Sequence, residues 1–213
     1  MNGGRHPLQE HLLSVDANKR MTVVAGLLLL PLLGVEIFTV LSVRRMLPVH
    51  IAVGLWLLPL VVIKMGSTGY RMAMYYLRDH DYFAAGPPAW VPRILAPFVV
   101  LSTIALFVSG TVLWAMGPAG RDPWLRVHQV AFVFWAGSTG LHVLIHLRRT
   151  VNDGLTEISP WGSGPSIRRR LVAGAAVVGL VGGVVGATMG PAWPVGVAGD
   201  ENRPADAGQP QSP

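Results

Sequence analysis

The sequence of 213 residues contains no cysteine. That absence excludes disulfides, thiol catalysis, Cys-ligated iron–sulfur clusters and covalently attached c-type haem. Any cofactor would have to hang on His, Met, Lys, Tyr or carboxylate. Charge is also scarce, with 13% charged residues against 51% hydrophobic ones, outside the range of soluble domains. Lysine is scarcer still: the net charge of +6 comes from 15 Arg and only 2 Lys. These cations sit in short segments beside apolar runs, where membrane topology accounts for them, so no nucleic-acid partner is expected. A dinucleotide fingerprint and a glycine-rich phosphate loop are both missing, and no polar stretch is long enough for a large catalytic domain.

What is present is a series of apolar runs, each longer than the ~18 residues that cross a bilayer. They are Met21–Val43, Val49–Tyr70, Ile94–Met116, Trp124–Leu147 and Leu171–Met189. The first lacks a small-residue cleavage motif and is too long for a removed signal peptide, so it is read as an anchor. The expected fold is an all-α integral membrane protein: a four-helix transmembrane bundle plus a fifth, Gly-rich transmembrane helix. The expected divisions are a cytoplasmic N-terminal arm over 1–20, the bundle over 21–147, a cytoplasmic loop over 148–170, the fifth span over 171–190 and a disordered tail over 191–213.

Eleven Lys and Arg residues fall on the N-terminal side of alternate connections and five on the other, which predicts a cytoplasmic N-terminus in a multi-pass bacterial inner-membrane protein. The short connections Arg44 to Pro48 and Gly117 to Pro123 are then extracytoplasmic, and the spans they join are antiparallel neighbours. Gly86-Pro87-Pro88 and Gly162 to Pro165 mark the longer cytoplasmic connections. Glycines four apart in the fifth span, Gly179/Gly183 and Gly182/Gly186/Gly190, predict close approach of another helix; a lipid-facing, low-complexity anchor is the plainer alternative.

Seven histidines are present. His6, His11 and His80 lie in polar segments and read as solvated. His50, His128, His142 and His146 lie in spans, where an imidazole is costly unless it is paired or ligates something. For any one of them, a hydrogen bond between helices is sufficient explanation. Together they form a stripe: at 100° per residue His128 and His142 differ by about 40° in azimuth, and His128 and His146 coincide. His128 and His142 are about 21 Å apart along the axis. His50 and His128 both lie near the outer end of their spans, at one depth on different helices, as two axial ligands of a planar macrocycle would.

This placement, His50 on one span with His128 and His142 fourteen apart on another, together with Gly34, Gly54, Gly110, Gly137 and Gly140, resembles the b-type membrane cytochromes of the cytochrome b561 and hydrogenase/formate dehydrogenase cytochrome b group. The resemblance covers residues 21–147. It implies haem b held by His pairs, and an electron-transfer subunit of an oxidoreductase relaying electrons between a quinone pool and a peripheral redox subunit, not an enzyme alone. Carried over residue by residue, it makes His50 and His128 axial ligands of an outer haem iron. An inner site would use His142 or His146, but fourteen residues beyond His50 this sequence has Lys64 where a second imidazole is wanted. Lys64 either snorkels to the interface or, with Arg71, pairs with haem propionates or a quinone headgroup. Glu36, facing the bundle, would exchange a proton beside a quinone. The alternative function is a non-redox structural or assembly subunit whose histidines only hydrogen-bond between helices; a metal or proton transporter finds no internal repeat to support it.

Overall fold

A computed structural model describes residues 15–87, 90–118, 120–158 and 167–189. His6, His11, Gly162–Pro165, Gly190 and the tail over 191–213 lie outside the described residues. Every regular element among them is helical: α1 (Val15–Leu41), α2 (Val43–Tyr76), α3 (His80–Ala84), α4 (Trp90–Met116), α5 (Arg121–Ile158) and α6 (Ile167–Met189). All except α3 are long and apolar enough to cross a membrane, five in total. Large apolar side chains stand exposed on the outside of these helices, among them Phe38, Phe98, Phe134, Leu144 and Val181. In a soluble protein such surface would be a liability; on a multi-pass membrane protein it is the lipid-facing surface.

Turns and caps follow from local chemistry. The connection expected over Arg44 to Pro48 is shorter than that: α1 ends at Leu41 and α2 begins at Val43, with a break at Met46 (φ −111°, ψ 17°). Pro48 lacks an N–H to bond the Arg44 carbonyl, and its ring crowds that group, so the helix is interrupted between them, at Met46. α2 ends in a Schellman motif: Arg78 takes φ 58°, its N–H donates to the Tyr75 carbonyl at 3.1 Å, and the Asp79 N–H donates to the Met74 carbonyl at 3.0 Å. Asp79 then caps α3 by accepting from the Asp81 N–H at 3.3 Å. Gly117 and Gly120, at φ 66° and 68°, make the turn between α4 and α5.

Two helices run further than their apolar runs. α1 begins at Val15, inside the stretch expected to be a polar arm, and buries Asn18, whose side-chain amide donates to the Ser67 carbonyl at 2.8 Å. α5 continues past Leu147 to Ile158, through a polar stretch expected to be loop. Hydropathy marks where the hydrocarbon ends and says nothing of where the helix does.

The packing order places the site. α1 packs on α2 and on α5, α4 packs on α5, and α2 and α4 barely touch. α2 and α5 therefore stand diagonally across from each other. The dry core, Leu29, Val53, Leu57, Leu60 and Val172, is not at the centre of these helices but between α1, α2 and α6. α6 lies backbone to backbone on α2: a Cβ at Gly179 would stand 2.5 Å from the Trp56 carbonyl, and one at Gly183 would collide with the Ala52 carbonyl. Trp114 Nε1 of α4 donates to the Gly186 carbonyl at 2.9 Å. The packing-helix reading of the fifth span is the one observed, through Gly179, Gly183 and Gly186; Gly182 meets nothing.

Candidate functional site: a histidine-lined cavity

Because the core lies to one side, the space enclosed by α1, α2, α4 and α5 is left open as a cavity of about 1420 Å³. The six candidate cofactor-binding residues, His50, Lys64, Arg71, His128, His142 and His146, all line it, and so does Glu36. The azimuth argument for the α5 stripe thus places His128, His142 and His146 on the wall where it predicted them.

At one end His50 of α2 and His128 of α5 bring their rings to 6.3 Å between centroids, with planes at 84°. Each ring is held through Nδ1. His50 Nδ1 is 2.9 Å from Glu36 Oε1 and 3.2 Å from Thr39 Oγ1, both on α1. Thr39 Oγ1 lies 2.7 Å from the Glu36 carbonyl, to which it donates, so its lone pairs face His50. His128 Nδ1 is 3.0 Å from Ser109 Oγ on α4. Ser109 spends its one proton on the Ala105 carbonyl at 2.7 Å and accepts from His128. Both bonds therefore favour the Nδ1–H tautomer and leave Nε2 as the lone-pair nitrogen of each ring. Two glycines make room: a Cβ at Gly110 would stand 3.1 Å from His128 Cε1, and one at Gly54 would stand 3.5 Å from Glu36 Oε1.

Glu36 is where sequence reading and structure diverge in detail. It was singled out as a proton-exchanging carboxylate facing the bundle; it does face the bundle, and its partner is His50. Thr39 and Ser109 were missed. Their signal was available only in part: Thr39 lies one turn after Glu36 on α1, whereas nothing in the run of α4 separates Ser109 from Ser102, which instead approaches Ser138 at 3.2 Å.

The other end of the cavity is built differently. His142 and His146 are one turn apart on α5, with ring centroids at 4.8 Å. Among the described residues no histidine of another helix lines this end with them. Lys64 Nζ donates to the Thr22 carbonyl of α1 at 3.3 Å, and a Cβ at Gly26 would stand 2.7 Å from it. Arg71 lines the same end, next to Met72 and Tyr76. Of the other glycines noted for room, Gly34, Gly137 and Gly140 would meet nothing within 4 Å. His80 is 98% exposed, beside Asp81, as a solvated residue should be.

Among the described residues, no group of three or more His, Cys, Asp or Glu side chains is placed to hold a bare metal ion. Two axial nitrogens are a different requirement, since a macrocycle brings its own equatorial ligands. Comparison of the chain with protein-family models, with curated proteins and with solved structures finds no match.

Proposed function

We propose that this chain is a b-type cytochrome subunit of a membrane oxidoreductase, built as a four-helix haem-binding bundle with α6 as an added fifth span. In this reading His50 and His128 would hold one haem b, one from each of the two diagonal helices. One observation carries it: two imidazoles from helices that stand diagonally apart meet across a cavity at 6.3 Å, each tethered at Nδ1. Two metal–imidazole bonds of about 2.0–2.1 Å, with about 1.1 Å more from each nitrogen to its ring centre, ask for about 6.3 Å. The donor chemistry fits as well, because a ligating histidine normally gives its other ring N–H to a carboxylate, hydroxyl or carbonyl.

Haem, when bound, supplies a one-electron iron couple. The chain's own residues do the rest. Glu36 and Thr39 set the tautomer and orientation of His50, and Ser109 does so for His128. Gly54 and Gly110 keep side-chain volume out of the gap, and the apolar walls keep water away from it. The quinone pool and a peripheral redox subunit are the proposed exchange partners, with the N-terminus on the cytoplasmic face of a bacterial inner membrane. The resemblance to the cytochrome b561 group agrees with this reading and does not extend to a second bis-His site.

The test is a reduced-minus-oxidised spectrum of the purified chain, expressed with ample haem supply. We expect a b-type signal from a pigment that acid-acetone extracts. A correctly folded, colourless preparation would overturn the proposal. One observation favours the structural alternative: His50 with Glu36 and Thr39, and His128 with Ser109, are each already hydrogen-bonded. The colourless outcome would make that the function.

A further inference from the structure

The charged residues of the cavity wall are segregated by sign. Lys19, Lys64, Arg71 and Arg93 line it, and all four come from the end away from His50 and His128: the first turns of α1, the later half of α2 and the start of α4. Among the described residues the wall has one carboxylate, Glu36, and it is at the other end, on His50. The partners found for the cations are neutral. Lys64 donates to the Thr22 carbonyl at 3.3 Å, and Arg93 Nε donates to the Tyr76 hydroxyl at 2.7 Å while its guanidinium lies 5.1 Å from the Tyr76 ring centroid. Cations in or near hydrocarbon seek a counter-anion, and among the described residues none of the wall at this end supplies one.

The space beside them is apolar and long. Leu29, Leu33, Val61, Val100 and Val143 continue the wall from this cluster toward the middle of the cavity. The α2–α4 side is the least closed, since these two helices barely touch. A ligand with an anionic head and a hydrocarbon chain would use both features at once. A quinone headgroup is neutral and would leave the charges uncompensated. The His50–His128 level is about 21 Å away along α2, fourteen residues from Lys64. A second bis-His haem is not favoured either, because His142 and His146 leave the same helix one turn apart and cannot take opposite faces of one flat ring.

We propose that this end of the cavity seats one anionic phospholipid, its phosphate held among Lys64, Arg71 and Arg93 and one acyl chain entering between α2 and α4. Basic pockets between transmembrane helices recognise anionic headgroups in this way, with guanidinium groups matching phosphate oxygens. The site is independent of the haem reading, since it shares no residue with the His50–His128 pair.

The experiment is native mass spectrometry of the full chain, delipidated in mild detergent and titrated with phosphatidylglycerol, phosphatidylcholine or inorganic phosphate. Expected is one tightly retained phosphatidylglycerol per chain, with phosphatidylcholine at least about tenfold weaker. Lys64→Met with Arg71→Gln should lower phosphatidylglycerol affinity about tenfold or more, while Arg121→Gln with Arg126→Gln, at the opposite end, leaves it unchanged. Where the first pair fails to fold, the single Arg71→Gln variant and the wild-type preference for phosphatidylglycerol decide the question. Equal retention of phosphatidylcholine, equal occupancy by inorganic phosphate alone, or a second haem mass in place of lipid would each overturn the proposal.

Discussion

The two ends of the cavity start from the same sequence device and finish differently. On α5 a histidine stands at each end, His128 and His142, fourteen residues apart. On α2 the corresponding positions are His50 and Lys64, so one level has an imidazole on both diagonal helices and the other has an imidazole against an ammonium. The surroundings follow suit. At the His50 level a carboxylate and two hydroxyls hold the rings through Nδ1. At the Lys64 level the amine takes a backbone carbonyl and the wall fills with cations. The difference teaches that the proposed ligand pair is marked by what stands behind each imidazole as much as by the imidazoles themselves.

The largest effect that could break this comparison is loss of the pigment. We expect His50→Ala and His128→Ala each to abolish the b-type signal, with the protein still inserted and monodisperse. His142→Ala and His146→Ala should retain it. The reverse pattern, with the signal lost only on changing His142, would move the haem to the other end.

Glu36→Gln comes next. It is nearly isosteric and keeps an oxygen for His50 Nδ1–H but removes the charge. Loss of an outer-shell partner typically costs 10–100-fold in metal affinity, and we expect haem retention to fall within that range. The bound haem should show a raised midpoint potential, because a carboxylate behind the imidazole makes it a stronger donor to the oxidised iron. Haem titration and potentiometry check the two parts separately, and an unchanged potential would remove Glu36 from the ligand's support.

How far these roles could be read in advance depends on whether they are written along the chain or between chain segments. Span positions and the stripe of His128, His142 and His146 are properties of single helices, fixed by apolar length and by 100° per residue. They were legible. So was the close approach of α6, although which glycines face α2 was not, because that depends on the rotation of one helix against another. Ser109 behind His128 and Glu36 behind His50 belong to the second kind. Ser102 and Ser109 look alike in the run of α4, and only the register of α4 against α5 gives one of them a histidine and the other Ser138. The break at Met46 and the polar extension of α5 escaped for a different reason: hydropathy locates the hydrocarbon and is silent on backbone continuity in water.

A smaller effect is expected at Ser109. Ser109→Ala removes the acceptor of His128 Nδ1–H in a place where water does not readily replace it. A net hydrogen bond of about 1 kcal/mol corresponds to roughly fivefold weaker haem retention. Ser102→Ala, two turns away on the same helix face with Ser138 as its partner, should change retention little. Equal losses in the two variants would mean that the hydroxyls act on helix packing and not on the imidazole.

The smallest effect separates room for a ring from room in general. Gly110 and Gly140 are both interior helical glycines on the two helices that pack together, α4 and α5. Replacing either by alanine favours the helix by up to about 1 kcal/mol. At Gly140 the new methyl meets nothing within 4 Å. At Gly110 it stands 3.1 Å from His128 Cε1, so the imidazole must shift by a few tenths of an ångström. Such a shift alters the approach of Nε2 without deleting it, and about a twofold loss of haem retention is expected for Gly110→Ala with none for Gly140→Ala. Thermal unfolding of the haem-free protein should rise slightly or hold in both variants, which keeps the loss from being read as damage to the fold. A matched decline in the two would show that the gap between His50 and His128 tolerates ring movement, and Gly110 would then be an ordinary packing glycine.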